Sequence, residues 1–237
     1  MQAADIVRCI DLTSLSGQES DADIVKLCQD AVTPLGAVAA ICIYPQYLSL
    51  AKRHVPSGVK LATVVNFPLG LGGRDVILFE VKSALALGAD EIDIVIPYEE
   101  VLRGDLHHSG ELIAAVKAVV GDRLVKVILE TGVLADPDLI FRVSEVLLVQ
   151  GADFLKTSTG KVAVGATEDA VDAMLKALLQ HAQKTGVIKG LKISGGVRAI
   201  AQAESYMAMA SSYFGKDYLR PKTFRIGASS LLQALLV

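Results

Sequence analysis

The chain has 237 residues, a formal net charge of −3 and 52% hydrophobic residues. It lacks the basic excess of a nucleic-acid-binding protein, so we expect no nucleic-acid partner. Its apolar residues form short runs, none near the ~18 uninterrupted residues of a transmembrane helix, so we expect no membrane partner. No leader segment is visible at the N-terminus, and Cys9, Cys28 and Cys42 form no C-x-x-C. These features predict a cytoplasmic protein with free thiols.

Short apolar runs of strand type alternate with amphipathic helical patterns along the chain. The predicted strands are residues 9–13, 38–44, 60–67, 91–97, 124–130, 153–158, 190–194 and 223–227. The predicted helices are residues 21–32, 74–87, 110–120, 137–150, 167–184 and 198–214. Gly88 and Gly151 mark two helix ends, since each precedes Ala-Asp and a new strand. The alternation indicates an α/β fold with a parallel sheet.

Eight such βα units predict a (β/α)8 TIM barrel, and we assign residues 1–237 to a single barrel domain. An open, doubly wound sheet is the alternative, because it also alternates strands and helices. The count of eight favours the barrel, and so does the lack of a G-x-G-x-x-G motif at any helix start. The nearest sequence, residues 70–75, has Asp75 in place of the third glycine.

Two lysines lie within strand-type runs, and a glycine-rich turn follows each. They are Lys156, before Thr-Ser-Thr-Gly-Lys, and Lys192, before Ile-Ser-Gly-Gly. A buried ammonium group loses its hydration, and two neighbouring ones lower each other's pKa, which predicts a neutral amine. Such an amine can form a Schiff base with a carbonyl substrate. The alternative for each lysine is a salt-bridged or solvent-reaching residue in a polar layer of the barrel.

Other charged residues occupy the predicted strands. Barrel enzymes hold their active sites at the carboxyl ends of the strands, so charges that lie mid-strand or later are candidates: Asp11, Asp93, Lys126 and Glu130. Beside two lysines, Asp93 is placed for proton transfer, although a structural ion pair is the alternative. Asp11, Lys126 and Cys42 are expected to support the site. Three charges near strand starts, Lys60, Glu91 and Arg225, are expected at a solvated barrel end.

Glycine- and serine-rich turns follow the last three predicted strands. They supply backbone N–H groups and hydroxyls, which are the donors that phosphate needs, and barrels often bind phosphate after strands seven and eight. The candidate phosphate-binding residues are Gly160, Lys161, Gly195, Gly196, Gly227, Ser229 and Ser230. The alternative is that these glycines only form turns.

The sequence shows no metal-binding motif. It contains no H-E-x-x-H, and the adjacent His107 and His108 cannot face one ion from a helix. We therefore expect no metal and no cofactor.

The chain resembles the deoxyribose-phosphate aldolase family over nearly its whole length. The matching segments are residues 10–13, 39–45, 66–68, 88–93, 125–132, 151–161 and 225–230, and the run Phe-Leu-Lys-Thr-Ser-Thr-Gly around Lys156 is the most specific. The resemblance implies a metal-free class I aldolase that converts 2-deoxy-D-ribose 5-phosphate to acetaldehyde and glyceraldehyde 3-phosphate. It also implies that Lys156 forms the Schiff base, that Lys192 tunes it, and that Asp93 serves in proton transfer.

Two departures from the family pattern bear on the site. Members often have proline after the second lysine, where this chain has Ile193, and this change could alter how stiffly Lys192 is held. Longer members have a C-terminal tail, in some ending in a tyrosine that reaches the site. This sequence ends at Val237, so we expect no proton delivery from such a tail.

Two rival functions remain at the level of sequence. One is another phosphosugar barrel enzyme, either a different class I aldolase or an isomerase, and a lysine imine would discriminate against the isomerase. The other is a binding protein that keeps the phosphate loops without turnover. Beyond the phosphosugar and acetaldehyde, a second copy of the chain in a homodimer is a partner to consider, although no interface can be read from the sequence.

Overall fold

The computed structural model describes residues 2–236, so Met1 and Val237, the ends of the predicted domain, lie outside the described residues. Eight parallel strands form a closed barrel, in which each strand pairs with the next along the chain and the last pairs with the first. This confirms the predicted (β/α)8 barrel. The strands are β1 (Ile10–Ser14), β2 (Ala40–Ile43), β3 (Lys60–Val65), β4 (Glu91–Val95), β5 (Leu124–Ile128), β6 (Phe154–Lys156), β7 (Gly190–Ser194) and β8 (Phe224–Ala228).

The helices surround the barrel. Six of them match predicted helices: α2 (Asp21–Asp30), α4 (Arg74–Ala86), α6 (Leu106–Val120), α8 (Pro137–Val149), α9 (Glu168–Thr185) and α10 (Ile200–Phe214). Five short ones were not predicted: α1 (Ala3–Val7), α3 (Leu48–His54), α5 (Tyr98–Leu102), α7 (Thr131–Leu134) and α11 (Leu231–Leu235). Helices of four to seven residues carry too little periodicity to be recognised in a sequence. Among the described residues, no helix is both long and apolar enough to span a membrane.

Two predicted helix boundaries differ from the structure for local reasons. Helix α2 ends at Asp30 because the chain enters a small hairpin, in which Val32–Thr33 pairs with Gly36–Ala37. The β-branched Thr33 precedes a proline, and that position disfavours helical backbone angles. Helix α6 begins four residues earlier than predicted, because the Asp105 side chain accepts a hydrogen bond from the backbone N–H of His108 at 3.0 Å.

Alternation along the strands separates two apolar regions. On β2, Ile41 and Ile43 belong to the large core that lies between the barrel and the helices. Ala40 and Cys42 alternate with them and therefore point into the barrel, where they join Leu15, Ala62 and Val64 in a second, small cluster. The interior next to β2 and β3 is thus apolar and built mainly from small side chains.

Candidate active site

The rest of the barrel interior carries charge, on β1 and on β4 to β8. The seven charged side chains there are each at most 3% exposed: Asp11, Glu91, Asp93, Lys126, Lys156, Lys192 and Arg225. Buried charges lose their hydration and need partners. These side chains supply the partners for one another in a connected network of ion pairs.

Asp93 on β4 lies at the centre of this network. Its Oδ2 atom accepts hydrogen bonds from Nζ of Lys156 and Nζ of Lys192, each at 2.8 Å. Its Oδ1 atom accepts one from Nζ of Lys126, also at 2.8 Å. Strand register explains the convergence, because Lys126 pairs with Asp93 on the adjacent strand, while Lys156 pairs with Lys192. The three residues predicted to be catalytic therefore meet at one carboxylate oxygen.

Lys192 is held by a second carboxylate as well. Its Nζ lies 2.5 Å from Oδ2 of Asp11, while Oδ1 of Asp11 accepts a hydrogen bond from Nη1 of Arg225 at 2.5 Å. Ile193, at the position where family members often have proline, is fully buried and pairs with Ile226 on β8. Lys192 is thus fixed by two ion pairs and by the sheet without the proline.

The network shifts the pKa of Lys156 and the pKa of Lys192 in opposite directions. Burial lowers the pKa of Lys156, Asp93 opposes part of this effect, and the nearby Lys192 ammonium group lowers the pKa further. For Lys192, burial is outweighed by Asp11 and Asp93, which raise its pKa. The expectation that the two lysines lower each other's pKa is therefore wrong for Lys192. It has two carboxylates as neighbours, and they hold it protonated next to the more easily deprotonated Lys156.

Asp93 itself is held ionised. Burial opposes ionisation, but the ammonium groups of Lys126, Lys156 and Lys192 together lower the pKa of Asp93 well below its usual range. Such a carboxylate binds a proton only weakly, so a proton that reaches it passes on readily to a neighbouring acceptor.

A cavity of about 330 Å³ opens at the carboxyl ends of the strands. Lys156 is the one member of the charged network that lines this cavity, since Asp93 and Lys192 lie beneath its floor. The loops after β1, β6, β7 and β8 form its walls. The charged network and the cavity therefore meet at a single amine.

Most of the predicted phosphate-binding residues surround this cavity. Its lining includes Gly160, Lys161, Gly195, Gly196, Gly227 and Ser229. Ser230 is not part of the lining and instead precedes helix α11 as its N-cap. Gly195 has a φ of +84°, and a Cβ atom there would lie 2.9 Å from Cα of Gly165, so only glycine lets these two loops approach so closely.

Two cations give the cavity an electrostatic preference. Lys161 and Arg198 both line it, together with the polar backbone and side chains of the glycine-rich turns. The Lys161 ammonium group donates to the backbone carbonyl of Leu15, and its backbone N–H donates to Oγ1 of Thr159 at 3.0 Å. An anionic group on a substrate would be attracted to this end of the cavity.

A protein-family model for the DeoC/LacD family aldolases matches residues 6–236. The chain belongs to the DeoC/LacD aldolase family.

Solved structures agree with the family assignment. A protein provisionally named a deoxyribose-phosphate aldolase, from Toxoplasma gondii ME49, is similar at 27% identity and a TM-score of 0.88, over 98% of this chain and 92% of that chain. One so named from Coccidioides immitis is 28% identical, with a TM-score of 0.85 over 99% and 86%. The deoxyribose phosphate aldolase from Aeropyrum pernix, described as a tetramer, is 27% identical, with a TM-score of 0.73 over 99% and 91%.

In this DeoC/LacD family member, Glu130 braces the turn that carries Gly160 and Lys161. Its carboxylate accepts hydrogen bonds from the backbone N–H of Thr159 at 3.2 Å and from the Thr159 hydroxyl. Glu130 is fully buried, and burial raises its pKa. Its backbone is left-handed, with a φ of +56°, and this conformation turns the chain from β5 into α7. The predicted candidate thus lies at the rim, where it positions a loop.

Glu91 and Arg225 are the charged residues whose place the sequence reasoning missed. They were expected at a solvated barrel end, but they are 2% and 3% exposed and pair with each other inside the barrel. Ring closure explains the error, because Arg225 on β8 is brought to Glu91 across the barrel, which strand position alone does not reveal. The exposed Lys60, in contrast, is found as expected.

Cys42 lies in the apolar half of the interior and is fully buried. Burial raises the pKa of its thiol, so it stays protonated. Among the described residues, the potential metal-ligand atoms within 4.8 Å of one another belong to Glu100, Asp105 and His108. None of these three residues lines the cavity next to Lys156.

Proposed function

We propose that the chain is a class I aldolase that reversibly cleaves 2-deoxy-D-ribose 5-phosphate to acetaldehyde and glyceraldehyde 3-phosphate through a Schiff base on Lys156. One observation carries the proposal: Lys156, with its lowered pKa, is the one amine of the buried network that lines the cavity. A neutral amine is the form that attacks an aldehyde. The family and the names of the similar structures support the choice of substrate.

Substrate orientation follows from the distribution of charge in the cavity. The 5-phosphate binds among Lys161, Gly195, Gly196 and the turn after β8, as far from the barrel floor as the open sugar chain allows. The aldehyde end then reaches Lys156, the member of the charged network that lines the cavity. Fixing the two ends of the substrate turns amine attack into an effectively unimolecular step.

The chemistry begins with attack of the Lys156 Nζ lone pair on C1, followed by loss of water to give an iminium ion. A base removes the C3 hydroxyl proton, the C2–C3 bond breaks, and its electrons flow to the iminium nitrogen. Glyceraldehyde 3-phosphate leaves, and the remaining enamine is protonated at C2. Hydrolysis then releases acetaldehyde and restores the amine.

Asp93 and Lys192 carry out the proton transfers in this proposal. Because Asp93 has a low pKa, it acts through a water molecule as a relay and does not store the proton. Lys192 donates to the same Asp93 oxygen as Lys156 and pairs in register with it, so we assign it the return of a proton to the enamine. We assign the reaction to deoxyribonucleotide catabolism in the cytoplasm, in keeping with the three free cysteines.

Borohydride trapping tests the proposal directly. The protein is incubated with 2-deoxyribose 5-phosphate and sodium borohydride, and the adduct is mapped by mass spectrometry. We expect a reduced adduct on Lys156, none in Lys156→Met, and an unchanged yield in Lys26→Met, which alters an exposed lysine on α2. An adduct on any other lysine would overturn the assignment.

A substrate comparison tests the phosphate part separately. Retro-aldol activity is measured on 2-deoxyribose 5-phosphate and on 2-deoxyribose, each with and without a chelator. We expect a strong preference for the phosphorylated sugar and no effect of the chelator. Equal activity on both sugars would remove the role given to the phosphate loops.

A further inference from the structure

A buried ion pair lies beneath the active site, at the amino end of the barrel. Nη2 of Arg225 on β8 is 2.8 Å from Oε1 of Glu91 on β4. Neither residue lines the cavity that holds Lys156, so neither can touch a substrate there. Their link to the active site runs through the lysines and aspartates between them.

Two chains of contacts connect this pair to Asp93. In one, Nζ of Lys126 bridges Oε2 of Glu91 at 2.6 Å and Oδ1 of Asp93 at 2.8 Å. In the other, Arg225 binds Asp11, Asp11 binds Lys192, and Lys192 binds Asp93, at 2.5, 2.5 and 2.8 Å. Both chains end on the carboxylate that also holds Lys156.

The charges of this network do not cancel. It contains four basic groups, Lys126, Lys156, Lys192 and Arg225, and three carboxylates, Asp11, Glu91 and Asp93. When every group is ionised, this seven-membered network therefore holds one positive charge in excess, and an excess positive charge is costly in a buried interior. Glu130, the further buried carboxylate at the rim, has its pKa raised by burial and so offsets that excess less readily. Lys156 lines the cavity and has one carboxylate partner, whereas each of the other three basic groups has two or more.

We propose that Glu91 and Arg225 are positioning residues that set the charge balance around Lys156 and fix how Asp93 is shared between Lys156 and Lys192. This inference rests on the proposed function. Loss of the Glu91 charge leaves two excess positive charges and frees Lys126 to compete for Asp93. Loss of the Arg225 charge removes the excess positive charge of the network. It also lets Lys192 turn towards Asp11, so that Asp93 interacts mainly with Lys156.

Loss of the Glu91 charge and loss of the Arg225 charge should therefore shift the pKa of Lys156 in opposite directions. The titratable and charged groups that face it from the surrounding elements are Asp11 on β1, Cys42 on β2, Glu91 and Asp93 on β4, Lys126 on β5, Glu130 after β5, Lys192 on β7 and Arg225 on β8. β3 contributes the apolar Ala62 and Val64, and the exposed Lys60 at its start lines an opening at the amino end of the barrel together with Glu91 and Arg225. With the other groups unchanged, Glu91→Gln should ease deprotonation of Lys156, and Arg225→Met should hinder it.

The experiment measures the pH dependence of kcat/KM for the retro-aldol reaction. Relative to wild type, we expect the acidic limb to move down by about one pH unit in Glu91→Gln and up by about one unit in Arg225→Met. The double variant removes both charges, so its limb should return close to the wild-type position. Arg225→Lys keeps the charge and should also stay close to wild type.

Glu99→Gln is the matched control, since it makes the same chemical change at an exposed glutamate on α5. The pH dependence of kcat/KM in this control should match that of the wild type. Circular dichroism checks that each variant is folded. Limbs that shift in the same direction, or that stay in place in folded variants, would overturn the proposal. Unfolding of both single variants and of the double variant would also overturn it, because the pair would then serve only stability.

A second readout does not depend on turnover. NMR titration of protein labelled with ε-¹³C-lysine follows the protonation of Lys156, whose signal is assigned by its loss in Lys156→Met. The pKa of Lys156 measured in this way should fall in Glu91→Gln and rise in Arg225→Met. If trapping shows no imine but these shifts occur, the proposed function fails and the charge coupling stands. If an imine forms but no shift is seen, the coupling fails alone.

Discussion

The two halves of the barrel interior are built on different strands of the same closed sheet and differ completely in chemistry. Next to β2 and β3 the interior holds Ala40, Cys42, Ala62 and Val64, beneath the edge-to-face pair of Tyr44 and Phe67, whose ring centres lie 5.9 Å apart. On the other strands it holds the seven-membered charged network. The glycine-rich cavity lies over the charged half, since the loops after β1, β6, β7 and β8 line it.

The contrast explains how one amine becomes reactive. Burial lowers the pKa of Lys156, and Cys42 of the apolar half is one of its electrostatic neighbours. The charged half holds Lys192 and Asp93 in fixed protonation states beside it. A reactive lysine therefore needs both halves, and changes to each should have effects of different kinds and sizes.

The largest effect is expected from removal of the amine in the charged half. Lys156→Met should lower kcat/KM for 2-deoxyribose 5-phosphate by about 10⁴-fold or more, because covalent catalysis is lost. A coupled assay that detects glyceraldehyde 3-phosphate measures it, with Lys26→Met as the control. Retention of activity within tenfold of wild type would contradict the role of Lys156.

Neutralisation of Asp93 should have the next largest effect. Asp93→Asn should lower kcat by about 10²- to 10⁴-fold, as expected for loss of a proton-transfer group. Lys156 is active when neutral, so activity falls as the pH drops through its pKa. Asp93 raises that pKa, so its loss should move the acidic limb of the remaining activity to lower pH. Asp30→Asn on α2 is the control. An acidic limb that moves to higher pH in Asp93→Asn would contradict the prediction.

A change in the cavity wall should affect binding more than chemistry. Lys161→Met should raise the KM for the phosphorylated sugar by about 10- to 100-fold, the value of a charge-assisted hydrogen bond. Activity on unphosphorylated 2-deoxyribose should be unchanged. Steady-state kinetics on both sugars separate the two effects, and an equal loss on both would show that Lys161 does not contact the phosphate.

The smallest effect is expected in the apolar half. Cys42→Ala removes one buried sulfur atom and should lower the free energy of unfolding by about 1 kcal/mol through a small cavity. The activity should stay within a few-fold of wild type, because the thiol is protonated and the geometry of the charged half is untouched. Urea denaturation and retro-aldol kinetics measure the two quantities. A hundredfold loss of activity would give Cys42 a direct part in the reaction.

Much of the site could be predicted because a charge within an apolar run is conspicuous in a sequence. Lys156, Lys192 and Asp93 were found in this way, and the glycine-rich turns indicated the wall of the cavity. The part of the cavity wall at the end of β1 was not predicted, since Ser14, Leu15 and Ser16 form no recognisable motif, yet all three line the cavity. Their position depends on closure of the barrel between β1 and β8.

The sequence by itself determined the number and order of the strands, because hydrophobic periodicity is a local property. It also determined which side chains are costly to bury. Only the tertiary structure decided which charges pair: Lys192 meets Asp11 across 181 residues, and Arg225 meets Asp11 across 214. A pKa depends on every charge within several ångströms, and that neighbourhood exists only after the ring of strands has closed.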